Sequence, residues 1–372
     1  MRIAFVIPGL GPGGAERVAS LLCNFWAGQG HSITLITFEA AGTLPFYKID
    51  ETVAVRELEA DAGPRGLVAK LATNVRRISR LRGLLRELRP DAIVAFTTDA
   101  NVVSLCAASG LGVPVVISER NQPERPGLGG VHKLARAICY RYASAIVVQT
   151  EPIANWVRAR FRIQVHIIPN PVLLGPARTE GSGPGKHADG QDRILISVGR
   201  LTHQKGFDLL IESFARLAAK HPDWRLVIYG EGPDRAHLER LRDDSGCGDK
   251  IALPGLTRDL QAALDEASLF ALPSRFEGYP NSLLEALGAG LPVVATACPG
   301  GTVEILAEGA HGMLVPPEDV GALAAALDAM MSAPVLRETY ARRARDAVVQ
   351  LDVAIIGKRW LKLLANLASD RE

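Results

Sequence analysis

Glu277 and Glu285 stand with seven residues between them in the stretch LPSRFEGYPNSLLEALGAGLPVVATACPGG, residues 272–301. Glu277 falls in a loop. Glu285 falls inside a helix predicted to start near Asn281 and to stop at Gly288 or Gly290. The spacing lets both carboxylates address one ligand. Asn281, Ser282 and Leu283 offer backbone N–H groups at that helix start, an arrangement that suits phosphate. Upstream, Arg200 and Lys205 flank a strand-to-helix junction that also holds Gly199 and Gly206. Two cations beside a helix start can neutralise a departing pyrophosphate.

A second glycine-rich turn lies near the start of the chain. Gly9-x-Gly11-x-x-Gly14 follows a strand and opens a helix, and Glu39 closes the next strand. That is the pattern of a dinucleotide site, with Glu39 where a ribose-binding acid sits. A nicotinamide or flavin enzyme is therefore one reading. Pro12 argues against it, since it removes an N–H where the pyrophosphate needs one. A tight turn with no ligand is the plain alternative.

The elements that carry these residues follow from the hydrophobic pattern. With 372 residues and 48% hydrophobic content, two cores are expected. In the first half, strands over 2–7, 32–38, 92–96, 113–117, 145–148 and 165–168 alternate with helices, as in a doubly wound α/β domain. A further strand over 53–58 fits the same pattern. Residues 171–192 read as a linker or surface loop. The second half repeats the alternation over 193–350. The helices there are expected over 206–219, 234–243, 259–267, 281–290, 318–331 and 335–349. A last helix, 354–368, carries the apolar stripe Ile356, Trp360, Leu363 and Leu364.

Composition excludes several classes. The five cysteines are scattered with no Cys-x-x-Cys, so neither a disulfide framework nor a zinc site is indicated. No signal peptide or membrane span is read, and a cytoplasmic setting fits. No Asp-x-Asp occurs, so a metal held by that motif is not supported. The net charge is +2, but residues 1–170 hold 20 Lys/Arg against 13 Asp/Glu. A basic first half suits an anionic partner.

The motif set resembles retaining glycosyltransferases of family 4, which have the GT-B fold. The resemblance rests on Phe276-Glu277-Gly278-Tyr279-Pro280-Asn281 with Glu285-Ala286, on Gly290-Leu291-Pro292-Val293-Val294, on Val198-Gly199-Arg200-Leu201 with Gln204-Lys205-Gly206, and on Gly230-Glu231-Gly232-Pro233. It is close over residues 194–317. It implies two Rossmann-like halves facing a cleft, an acceptor domain over 1–170 and a nucleotide-sugar domain over 193–350. The final segment, 351–372, would then cross back onto the first domain.

The resemblance also implies roles. Glu285 would hold the nucleotide ribose, Glu277 the donor sugar, and Gly255-Leu256-Thr257 the base. Gly14, Gly199, Gly278, Tyr279, Asn281, Ser282 and Leu283 would line the donor site, and Arg200 and Lys205 would meet the phosphates. No cofactor beyond the nucleotide-diphosphate sugar, a UDP-sugar, is implied. Many relatives carry a histidine in the first domain, but none occurs between Lys48 and Gly130. Glu119, Arg120 and Asn121 are the candidates there, with Glu119 as the catalytic one. The run Ser118-Glu119-Arg120-Asn121 resembles bacterial enzymes that extend polyprenyl-pyrophosphate-linked oligosaccharides or exopolysaccharides. The partners implied are the nucleotide sugar and a glycan or polyprenyl-pyrophosphate-linked acceptor, with no nucleic acid.

The segment 66–88 pairs an apolar stripe with Lys70, Arg76, Arg77, Arg80, Arg82 and Arg86, followed by Arg89 and opposed only by Glu87. An amphipathic basic helix lies on an anionic membrane, binds a lipid pyrophosphate, or is a core helix with a solvated face. A nucleotide-sugar epimerase of the same fold, a dinucleotide oxidoreductase and a non-catalytic nucleotide-sugar sensor remain alternative readings.

Overall fold

The computed structural model describes residues 1–58, 67–120, 130–175 and 193–369. Asn121 and most of the segment 171–192 lie outside the described residues. The chain divides into two compact units, Met1–Pro171 with Val353–Glu372, and Val172–Asp352.

The first unit contains β1 (Arg2–Val6), α1 (Gly14–Gly28), β2 (Ser32–Thr37), β3 (Ala54–Glu57), α2 (Leu67–Leu88), β4 (Ala92–Phe96), α3 (Thr98–Ala108), β5 (Val115–Ser118), α4 (Gly130–Cys139), β6 (Ala145–Val148), α5 (Glu151–Arg158) and β7 (Val165–Ile167). The strands form one parallel sheet in the order β3-β2-β1-β4-β5-β6-β7. The central ones are apolar along their whole length, as AIVAF in β4, because helices cover both faces of a parallel sheet. The strand order reverses between β1 and β4. The loops leaving the carboxyl ends of those two strands diverge there and open a crevice, the usual ligand position in such sheets.

The second unit contains β8 (Arg193–Val198), α6 (Phe207–Ala215), β9 (Trp224–Tyr229), α7 (Arg235–Asp244), β10 (Ile251–Gly255), α8 (Leu260–Asp265), β11 (Leu269–Leu272), α9 (Asn281–Gly288), β12 (Val293–Thr296), α10 (Thr302–Ile305), β13 (Met313–Val315), α11 (Val320–Ser332) and α12 (Pro334–Ala344). Its sheet is also parallel, in the order β10-β9-β8-β11-β12-β13. The reversal falls between β8 and β11. The motifs at 199–206 and 273–280 are the two loops at that reversal.

Helix boundaries differ from the sequence reading where tertiary contacts intervene. The helix expected over 335–349 ends at Ala344, and a separate 3-10 turn spans Val349–Leu351. Val172 bridges to Asp352 and accepts the register of that turn through Val172 N–H to Leu351 O at 2.9 Å. The helix α3 starts at Thr98, earlier than its apolar pattern indicates, with Thr97 as N-cap and Asp99 in the first turn.

The last helix, α13 (Val353–Ser369), belongs to the first unit. Its stripe Ile356, Trp360, Leu363 and Leu364 is buried. Trp360 stacks edge-on against Trp26, and Trp26 Nε1 donates to Gly357 O at 3.1 Å. A Cβ at Gly357 would lie 2.3 Å from the Phe25 ring, so only glycine permits this approach of α13 to α1.

The basic helix α2 is tied down by its own arginines. Arg77 stacks over the Phe38 ring, Arg80 donates to Leu58 O at 2.7 Å, and Arg82 donates to Ala107 O and Ser109 O. The Arg82 contacts satisfy carbonyls at the C-terminus of α3, where a cation is favoured. Three of the seven cations of this segment therefore tie elements of the unit together. Arg76 is exposed and makes no such contact among the described residues. Among the described residues no single helix is long and apolar enough to cross a membrane.

Candidate active site

In the second unit, the strand β8 delivers Gly199 and Arg200, and the chain then turns back through a 3-10 turn at His203–Lys205. Gly206 completes the turn with φ +66, and a Cβ there would lie 2.1 Å from Pro273 O. Glycine is required on both counts. The close approach brings the 199–206 loop onto the loop after β11. Arg275 N–H donates to Gln204 O at 2.8 Å, and Gln204 Nε2 donates to Phe276 O at 2.9 Å.

The loops meet at an ion pair. Lys205 Nζ lies 2.6 Å from Glu277 Oε1, and Ser274 Oγ donates to the same oxygen at 2.6 Å. The side chains are 17% and 5% exposed, so the pair is largely withdrawn from water. Lys205 keeps further donor capacity, because an ammonium has three N–H groups. Arg200, in contrast, is exposed and unpaired among the described residues. Its charge stands at the carboxyl end of β8.

A third layer supports Glu277. Its N–H donates to Pro299 O at 2.9 Å, and Gly301 N–H donates to Gly278 O at 2.9 Å. Gly300 has φ +127, and a Cβ there would sit 2.1 Å from Glu277 O. Thus Pro299, Gly300 and Gly301 fix the loop backbone on which Glu277, Gly278 and Tyr279 ride. The helix α9 then starts at Asn281 with Pro280 as N-cap, so Asn281, Ser282 and Leu283 occupy the first turn. Glu285 lies one turn later and is half-buried. Leu256 follows β10 and is 46% exposed.

The sequence reading missed Ser274 and Arg275. Arg275 makes a two-pronged contact with Asp208, at 2.9 and 2.7 Å, and also meets Glu318 at 2.9 Å. Burial raises the Asp208 carboxyl, but the Arg275 hydrogen bonds and charge outweigh it and hold it below the ordinary value. This bidentate clamp locks the Glu277 loop to the start of α6. The Ser-x-x-Glu spacing was the available signal for Ser274. Arg275 gives none, since its partners are 67 and 43 positions away.

In the first unit, Gly14 is the first residue of α1 with Gly13 as N-cap. Glu39 does not face out as a ribose-binding acid would. Its carboxylate accepts from Leu10 N–H at 3.0 Å and so closes the glycine-rich turn itself. A dinucleotide reading loses its acid. Glu119 is 2% exposed. Tyr140 Oη donates to Glu119 Oε2 at 2.8 Å, and Thr98 Oγ1 lies 3.4 Å from Oε1. Burial first, and then the Glu119 charge, push the Tyr140 hydroxyl well above its ordinary pKa. Arg120, next in the chain, packs its guanidinium over the Phe96 ring at 4.1 Å.

Two family profiles match. The one described as Glycosyltransferase Family 4 matches residues 12–174, and the one described as Glycosyl transferases group 1 matches residues 184–347. The chain is a glycosyltransferase built of a family 4 domain followed by a group 1 domain. Among curated relatives, the exopolysaccharide phosphotransferase of Streptomyces coelicolor is 29% identical over 100% of this chain, and this chain spans 41% of that protein's length. The GalNAc-alpha-(1->4)-GalNAc-alpha-(1->3)-diNAcBac-PP-undecaprenol alpha-1,4-N-acetyl-D-galactosaminyltransferase of Campylobacter jejuni is 26% identical over 99% of both chains. Among solved structures, sucrose-phosphate synthase from Thermosynechococcus elongatus superposes with a TM-score of 0.84 at 19% identity, covering 99% of each chain. Anabaena Alr3699/HepE in complex with UDP-glucose superposes with a TM-score of 0.79 at 20% identity, covering 98% of this chain and 100% of that one. The glycosyltransferase therefore has the GT-B fold.

Proposed function

We propose that this glycosyltransferase moves a hexosyl or N-acetylhexosaminyl group from a UDP-sugar to a hydroxyl of a glycan or lipid-linked glycan, with retention of anomeric configuration and without a metal. The acceptor class is suggested by the Campylobacter relative, whose name gives a PP-undecaprenol-linked glycan as its acceptor. The setting is bacterial surface polysaccharide or oligosaccharide synthesis, at the inner face of the cytoplasmic membrane.

The observation that carries the reading is the Lys205–Glu277 pair at the β8/β11 reversal, beside Arg200 and the first turn of α9. In the proposed chemistry, Arg200 and the N–H groups of Asn281, Ser282 and Leu283 stabilise the charge that grows on the leaving diphosphate. Lys205 orients Glu277 through its 2.6 Å contact, and it directs its remaining N–H groups to the phosphate. Glu277 accepts from donor-sugar hydroxyls. The leaving diphosphate takes the acceptor proton on the same face of the sugar. Glu285 receives the ribose hydroxyls, and Gly199, Leu256, Gly278 and Tyr279 line the donor. Glu119, sealed by Tyr140 and Thr98, shapes the strand end that carries Arg120.

The test is a transfer assay with UDP-sugars and undecaprenyl-diphosphate-linked glycans, with the product linkage read by NMR. An α-linked product from an α-linked donor supports retention, and an inverted product overturns it. Turnover is expected to survive EDTA. Loss on chelation with recovery on adding magnesium or manganese would overturn the metal-independent mechanism. Interconversion of the donor sugar without any acceptor would replace the transferase reading with an epimerase.

A further inference from the structure

The carboxyl ends of β4 and β5 in the first unit carry a polar arrangement that internal contacts leave incomplete. Arg120 follows β5 by two residues, and its guanidinium lies flat over Phe96, the last residue of β4. The Gln149 amide, oriented to satisfy its neighbours, accepts from Arg120 Nη1 at 3.0 Å and donates to Glu119 O at 3.0 Å. Nη2 is buried and has no hydrogen-bond partner among the described residues. No carboxylate forms an ion pair with Arg120 among the described residues. Burial pushes its pKa down to about 9, opposed by the Glu16 charge at the start of α1.

A second anomaly sits beside it. Thr97, the residue after Phe96, has φ 76 and ψ 153. That conformation is almost reserved for glycine and is costly for a β-branched residue. Thr97 N–H is held by Ser118 O at 3.3 Å, while its Oγ1 is buried without a partner among the described residues. Phe96 pairs in register with Ser118, so Thr97 and Arg120 leave the same strand ends. One strained backbone, one orphaned hydroxyl and one orphaned guanidinium nitrogen thus lie on residues that leave neighbouring strand ends at the carboxyl edge of this sheet. Buried polar groups are nearly always satisfied, and a charged donor is the most costly exception. Strain of this kind persists where a function holds it in place.

We propose that Arg120 and Thr97 form an oxyanion subsite in the first unit, in which Arg120 Nη2 and Thr97 Oγ1 contact a phosphate oxygen of the substrate. The guanidinium is stacked and anchored on one edge, so it is pre-organised to meet that oxygen. The phosphate belongs either to the nucleotide-diphosphate donor or to a diphosphate-linked acceptor. The inference rests on the glycosyltransferase reading for its two phosphate sources, but not for the anion contact itself.

Calorimetric titration of the full chain with inorganic pyrophosphate tests it, in an Arg200→Ala background so that the second unit's cation does not mask the result. Thr97→Val, which keeps the β-branch, and Arg120→Met are expected to bind pyrophosphate more weakly, the latter by about tenfold or more. Arg120→Lys is expected to fall between Arg120→Met and the parent. The melting temperature of Arg120→Met should be unchanged or higher, because a buried charge without a partner is removed. A lower melting temperature with unchanged pyrophosphate affinity would make Arg120 a packing residue and overturn the subsite. So would unchanged affinity at an unchanged melting temperature, or a parent that binds no pyrophosphate. UDP titration with Arg200 intact separates the sources. Weaker UDP binding in Arg120→Met assigns the oxygen to the donor, and unchanged UDP binding assigns it to the acceptor diphosphate. If the wild type binds pyrophosphate in this way but not UDP, the donor reading fails while the subsite stands.

Discussion

Lys205 Nζ and Glu277 Oε1 are 2.6 Å apart although 72 positions separate the residues. The two loops at the β8/β11 reversal each contribute one charge, and Ser274 Oγ adds a second donor to the carboxylate. A cation and an anion both assigned to substrate are thereby assigned to each other first.

Breaking this pair has two consequences that the exposed Arg200 separates. Lys205→Ala strands a carboxylate that is 5% exposed, so it is expected to lose roughly 3 kcal/mol of stability as well as turnover. Arg200→Ala is expected to lose on the order of 100-fold in turnover at unchanged stability. Urea unfolding and initial rates, measured on both variants, check the contrast. Equal stability in the two variants would place Lys205 outside any structural role.

Gly206 is the hinge of the arrangement. Gly206→Ala must place a Cβ 2.1 Å from Pro273 O at φ +66, and the expected cost is roughly 2–3 kcal/mol. Gly28→Ala meets nothing within 4 Å at the end of α1, and it is expected to be neutral or to gain up to about 1 kcal/mol. Melting curves of the two variants give the comparison.

Asp208 links stability to pH. Its carboxyl is held below the ordinary value in the folded state, despite burial, by Arg275. A depressed folded pKa gives stability that is present above the unfolded value and lost as pH falls through the folded one. The wild type should therefore lose its advantage over Asp208→Asn from roughly pH 4 downward, near the unfolded carboxyl value. Melting temperatures of both proteins, measured from about pH 2 to about pH 7, should converge at the acid end. A constant gap would exclude the linkage.

The arginines of α2 should divide into two groups. Arg82→Ala removes both donors to the end of α3 and is expected to cost about 1–2 kcal/mol. Arg76→Gln is expected to leave stability unchanged, since Arg76 is exposed without a contact. If the enzyme pellets with anionic vesicles at low salt, Arg76→Gln should weaken that binding more cleanly than Arg82→Ala, whose effect includes partial unfolding. Co-sedimentation and melting temperature measured together distinguish these effects.

The amino-acid sequence by itself determined the two alternating α/β units and the loops that matter. Strand and helix patterns are local, and glycine, proline and charge cluster where strands end. That is why 199–206 and 273–281 were legible as a pair of strand-end motifs. The partner of each charge was not legible, because ion pairs join residues distant in the chain and nothing in spacing selects among many acids. Tertiary structure alone gave Lys205 to Glu277 and Asp208 to Arg275. It gave Glu39 to the turn it closes and Glu119 to Tyr140. It also turned Arg77, Arg80 and Arg82 from a solvated basic face into ties between elements. The strained Thr97 and the unpartnered Arg120 nitrogen arise the same way. Backbone angles and burial at the end of β4 are set by the packing of β5, Phe96 and α13, and no run of residue types records them.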